Sequence, residues 1–66
     1  MDPKQIRTRL VDLRGKRSQS EVAQAVGISP SALSMYEAGE RIPRDEIKER
    51  LAEYYGTDVQ SIFFAN

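Results

Sequence analysis

The 66-residue chain reads as an all-α protein, a compact bundle of five helices. Apolar residues return at three- and four-residue intervals through successive segments, the period of a helix with one buried face. Gly and Pro fall between those segments and stay out of their interiors. Ser or Asp heads the first, second, third and fifth segments, where a side-chain oxygen caps the free amides of a first turn. A chain this short buries only about 60% of its unfolded surface, so its stability is marginal.

Helix one spans about Pro3 to Arg14. Asp2 is its cap, Pro3 suits the first helical position, and Gln5 completes an Asp-x-x-Gln capping box. Ile6, Leu10 and Leu13 form its buried stripe, and Gly15 ends it. Helix two starts at Ser18, with Glu21 as capping-box partner and Val22, Ala23 and Val26 inward. Gly27 closes it where a positive φ is required. Helix three starts at Ser29 and Pro30, turns Leu33 and Tyr36 inward, and stops at Gly39. Helix four follows Pro43. Asp45 and Glu46 suit the positive end of its dipole, and Ile47, Leu51, Ala52 and Tyr55 form its inner face before Gly56. Helix five is short, capped by Asp58, with Val59, Ile62 and Phe63 apolar. Ser61 to Phe64 is too short and too late in the chain to be a strand.

Composition removes several function classes. Without Cys or His there are no disulfides, no thiol or imidazole catalysis, and none of the usual zinc sites. The first fifteen residues are charged throughout and lack a signal-peptide core. No segment approaches the ~20 apolar residues of a membrane span, so a cytoplasmic location with no membrane partner is expected. There is no Gly-rich phosphate loop and little room for a pocket, which argues against an enzyme and against a cofactor or metal. Net charge is zero, but its distribution is uneven. Residues 1–36 carry six basic side chains (Lys4, Arg7, Arg9, Arg14, Lys16 and Arg17) against three acidic ones, whereas residues 37–66 carry four against seven. Such asymmetry often makes a two-sided molecule with one face attractive to polyanions. Charge alone does not separate this from an ordinary solvated helix surface.

Residues 19–38 form one unit of demanding spacing. Ala23 is small where two helices cross, Gly27 turns the chain, Ile28 plugs the gap behind it, and Leu33 and Tyr36 pack helix three onto helix two. A turn this short projects the outer face of helix three: Pro30, Ser31, Ser34 and Met35, with Ala32 at its edge. A helix so exposed fits the major groove of B-DNA. Small residues let its backbone approach closely, Ser hydroxyls bond a base or a phosphate, and Met or Ala can touch a thymine methyl.

The marks Ser18-Gln19, Val22-Ala23, Gly27, Ser29, Leu33, Glu37-x-Gly39, Pro43 and Leu51-Ala52 occur in order from Leu10 to Phe63. In this the chain resembles the helix-turn-helix domain of the lambdoid phage repressor and Cro family, whose bacterial relatives are the xenobiotic-response-element-type regulators. The resemblance implies a lambda-repressor-like bundle and double-stranded DNA as partner. It implies that Gln19 bonds a phosphate and braces the recognition helix. Pro30, Ser31 and Met35 match base-reading positions, with Ser34 beside them. Ser29, Ala38, Arg41 and Arg44 are implied as phosphate contacts, through main-chain N–H groups or side chains, and Glu37 as an acid that supports the loop. Arg14 is expected to pair with an acid.

Two departures from the family stand out. The corner between helices one and two is tighter than usual, and Arg17 stands where the family has Leu, which makes Arg17 a further phosphate candidate. The recognition helix also lacks the Gln, Arg or Lys that make bidentate base contacts worth roughly 1–3 kcal/mol each. Specificity then leans on DNA shape, methyl contacts and water. Lys48 and Arg50 read as partners of Glu46 and Glu53 on a solvated face.

Tyr54, Tyr55, Ile62, Phe63 and Phe64 are dense for so small a domain. The plain reading is that helix five closes the bundle. The preferred one is an isologous homodimer through helices four and five, with Tyr54, Phe63 and Phe64 at the interface. The sequence thus points to one DNA-binding domain over 1–66, its motif at about 19–38, acting as a dimeric repressor on a short palindrome. The alternative is a protein-binding module, antitoxin or adaptor on the same fold, and a regulatory protein partner fits either reading. Asn66 follows helix five with no linker, which reads as a complete chain.

Overall fold

The computed structural model describes residues 2–65; the expectation drawn from Asn66 lies outside them. Four α-helices and a closing turn follow in order: α1 (Pro3–Arg14), α2 (Gln19–Val26), α3 (Pro30–Glu37), α4 (Asp45–Tyr54) and α5 (Gln60–Phe64). No strand occurs among the described residues, and no helix is long and apolar enough to cross a membrane.

The expected caps form. Asp2 accepts from the Lys4 amide, Ser18 from Glu21, Ser29 from Ala32 and Asp58 from Ser61, at 3.0, 3.0, 3.0 and 2.7 Å. Among the described residues the capping boxes do not close: Glu21 makes no return bond to the Ser18 amide, and Gln5 also departs from its expected role. Its side-chain oxygen accepts from Arg9 at 3.1 Å instead of closing the capping box. Arg9 is in turn directed at α5, donating to the carbonyls of Ile62 (2.9 Å) and Ala65 (2.6 Å). These groups have no partner within so short a helix, and a guanidinium satisfies them with charge-assisted bonds. α5 is a single π-helical turn, its Ala65 amide bonding Gln60 O at 2.8 Å.

The core draws on every helix: Ile6 and Leu10; Val22, Ala23 and Val26; Leu33 and Tyr36; Leu51 and Ala52; Ile62 and Phe63. α3 packs against α1 and α2, α2 also against α4, and α1 against α5. Ala23 is fully buried between them, where a larger side chain would overpack. Leu13, Ile28, Ile47 and Tyr55 are part-buried against this core, so the expected inner faces are in place.

Two expectations about α4 and α5 are corrected. Phe63 is 1% exposed, deep in the core, so it is not an interface side chain; Phe64 beside it is 45% exposed. Lys48 is buried, not solvated. Its ammonium lies 3.5 Å from Asp45 and above the rings of Phe63 and Phe64, at 5.8 and 5.0 Å from their centroids. Arg50 does pair with Glu46, at 2.5 Å.

Candidate nucleic-acid interface

The turn between α2 and α3 is Gly27-Ile28-Ser29. Gly27 has φ +86°, and the amides of Gly27 and Ile28 both donate to Ala23 O at 2.9 Å. This ends α2 abruptly and lets α3 start within three residues. Leu33 and Tyr36 then anchor one side of α3, and Pro30, Ser31 and Ser34 are left exposed on the other. Met35, expected to be exposed, is part-buried at the margin of that face, outside the core.

The far end of α3 is held by a buried charge. Glu37 is 5% exposed, and both carboxylate oxygens accept from Arg14 Nε, at 3.1 and 2.9 Å. Gln19 Nε2 donates to Glu37 Oε1 at 2.9 Å, and Arg14 Nη1 to the Arg17 carbonyl at 2.8 Å. One carboxylate thereby ties together the end of α1, the corner, the start of α2 and the end of α3. A buried carboxylate is tolerable only with such partners, and its network rigidifies what it joins. Gln19 braces α3 through this bond and keeps its carbonyl oxygen and second N–H for other partners.

Above the network lies an open hollow of about 400 Å³, bounded by Arg7, Val11 and Arg14 of α1, by Gln19, and by Ser34, Glu37 and Ala38. The structure thus brings together Gln19, Ser34 and Ala38 from the expected site. The Ala38 amide is already donated to Ser34 O at 2.9 Å, so it is not available as a phosphate donor. Arg41 and Arg44 are exposed in the loop after α3 and make no ion pair among the described residues. Ser29 is exposed; its oxygen caps α3, which leaves its O–H free to donate. Arg17 is placed elsewhere. Its guanidinium bonds Leu13 O at 3.1 Å and lies over the rings of Tyr54 and Tyr55, 5.3 and 5.4 Å from their centroids. Arg7 and Val11 were marked by no motif. Their signal was the spacing 7, 11, 14, which puts them on one stripe of α1 with Arg14.

A family model described as helix-turn-helix matches residues 6–62. The chain belongs to the Cro/C1-type helix-turn-helix family. That family is one of DNA-binding regulators and not of enzymes. The cryptic phage CTXphi transcriptional repressor RstR of Vibrio cholerae is 33% identical over 57 residues, covering 83% of this chain. The chain spans about half (51%) of that relative's length. No solved structure matches.

Tyr55 sits behind the network. Its hydroxyl is buried and has no hydrogen-bond partner among the described residues. Burial first, and then the Glu37 charge, push its phenol up to about 12 from the ordinary 10.0. The folded state therefore holds this proton longer than the unfolded chain does. The stability it contributes is complete below pH ~10 and is lost progressively as pH rises through about 12. Tyr55→Phe should abolish this component at little or no cost near neutrality, since it also removes an unsatisfied hydroxyl. Denaturant unfolding of both proteins across that range checks this. Parallel loss in the two would assign the alkaline transition to other groups.

Proposed function

We propose that this chain is a cytoplasmic, sequence-specific, double-stranded DNA-binding transcriptional regulator: a homodimeric repressor that reads a short palindrome through the major groove with Pro30, Ser31, Ser34 and Met35 of α3. Residues 1–66 act in this reading as one DNA-binding domain. The observation that carries it is the exposed, small-residue face of α3, held rigidly between the Gly27 turn and the Glu37 network. Backbone phosphates are met by Gln19 and Ser29 and by the side chains of Arg41 and Arg44. Contacts of this kind set register without reading sequence. Arg17 serves phosphate only if it leaves Tyr54 and Tyr55. Repression results from occupancy, since a dimer seated on a promoter excludes polymerase, and the similarity to a phage repressor supports that direction.

An operator with two half-sites calls for a dimer. The molecule measures 28 × 22 × 22 Å, whereas half-sites one helical turn apart are separated by roughly 34 Å. One copy covers one half-site, and a second is needed for the other. Phe64 and Tyr54 are the remaining interface candidates.

Selection from a randomised duplex pool at near-physiological salt is the test. An enriched palindrome is expected, and its spacing gives the dimer geometry. No enrichment, from folded protein that binds no duplex at low salt, would move the reading to a protein-binding module on this fold. The face itself is tested by Ser31→Glu with Ser34→Glu. Both positions are exposed, so the fold should persist. Two carboxylates set against the polyanion should weaken binding by about tenfold or more, because like-charge juxtaposition at an interface costs several kcal/mol. Unchanged affinity in the folded double variant would rule out this face.

A further inference from the structure

We propose that Arg7 is a contact for a DNA backbone phosphate, and that the hollow beside it seats one sugar–phosphate unit. The proposal rests on the DNA-binding function proposed for the chain. Arg7 is exposed and makes no ion pair or side-chain hydrogen bond among the described residues. Glu37, the carboxylate of the hollow, is already met by Arg14 and Gln19. Among the described residues, Arg7 is therefore the one uncommitted charge on the hollow's wall.

The Arg7 stem is seated, not loose. Its Cδ lies against the Gly39 turn, 3.9 Å from where a Cβ would stand, and the Pro3 carbonyl is nearer still at 3.6 Å. Gly39 has φ +75°, so the turn takes no ordinary side chain, and none intervenes between Arg7 and the loop. A stem packed on the turn with its guanidinium in water loses little entropy on engaging an anion.

The rest of the hollow suits the same ligand. Val11, 41% exposed, and Ala38 give it apolar surface, and the free N–H of the Gln19 amide gives it a donor. Alternation of apolar patch and donor matches deoxyribose faces set between phosphates. Among the described residues Arg7 joins Arg41 and Arg44 as an exposed arginine with no ion pair. Its contact carries no base information, so it strengthens binding to every duplex alike.

Salt dependence of duplex binding tests this, using the duplex recovered by selection and an unrelated one. Arg7→Gln should weaken both by the same factor and make the slope of log K against log salt shallower by about 0.9. Arg7→Lys should keep the slope, because it keeps the charge. Arg50→Gln, which removes an α4 charge paired with Glu46, is the control and should leave the slope unchanged. Arg7→Met retains the stem on Gly39 and replaces Arg7→Gln if that variant loses stability. An Arg7→Gln slope equal to that of Arg50→Gln overturns the proposal and leaves the DNA-binding reading standing. Wild-type protein that binds neither duplex at low salt overturns both.

Discussion

Arg14→Leu is expected to lower the stability of this domain by about 3 kcal/mol, the low end of the cost when a buried ion pair loses one partner. The low end applies because the Arg14 side chain retains 22% exposure and Gln19 still donates to Glu37 after the change. The loss is large against the whole. At roughly 0.05–0.15 kcal/mol per residue, a domain of this size holds about 3–10 kcal/mol. The variant should therefore be partly unfolded at physiological temperature. Chemical denaturation gives the number, and a change below about 1 kcal/mol would show that Arg14 does not neutralise Glu37.

The double variant Arg14→Leu, Glu37→Leu should regain most of that stability, because no uncompensated charge remains buried. It should not regain DNA binding. Without Glu37, the Gln19 amide loses the acceptor that fixes it at the start of α2, and the end of α3 is no longer tied to α1 and the corner. Recovery of fold without recovery of binding is the signature of a network that positions the reading helix. A double variant that binds as wild type would reduce the network to a stabilising device. One no more stable than Arg14→Leu alone would show that the buried charge was not the cause of the loss. Arg14→Lys should sit between the two, because an ammonium keeps the charge but cannot reach both Glu37 and the Arg17 carbonyl as the guanidinium fork does.

The parts of this molecule legible in its sequence are those that local chemistry decides. Asp2, Ser18, Ser29 and Asp58 cap the turns they precede because each bond closes within three residues. Gly27 could be assigned a positive φ because the motif leaves no other way to reverse the chain in three residues. Leu33 and Tyr36 could be turned inward from helical period alone. What was not legible depends on distant partners. Gln5 fits a capping box by spacing, yet its oxygen goes to Arg9, which is drawn away by carbonyls more than fifty residues later. Lys48 reads as a solvated charge until α5 lays Phe63 and Phe64 beneath its ammonium. Arg17 departs from the family pattern in a way that suggested phosphate, but two adjacent tyrosines at the end of α4 offer its guanidinium a nearer surface. The site divides in the same way. The outer face of α3 came from pattern, whereas the hollow with Arg7 and Val11 required knowing that α1 lies beside the α3 end.

Phe63→Ala should cost about 3–5 kcal/mol, enough to leave little folded protein, since its ring is fully buried where α5 meets the core. Phe64→Ser should cost about 1–2 kcal/mol, well below the cost of Phe63→Ala, because its ring is half exposed although it loses its contact with the buried Lys48 ammonium. Period alone does not separate these neighbours. Arg9 holds the α5 carbonyls against α1, which drives Ile62 and Phe63 inward and leaves Phe64 at the surface. The contrast separates the proposed interface from the fold. In sedimentation, Phe64→Ser should shift the protein towards monomer, and its affinity for a palindrome should fall further than its affinity for a single half-site. A dimer undisturbed by Phe64→Ser would place the interface away from α5, with Tyr54 the next position to change. A Phe63→Ala protein that stayed folded would show that α5 is not needed to close the bundle, and the ring's burial would then be a consequence of the fold, not a condition for it.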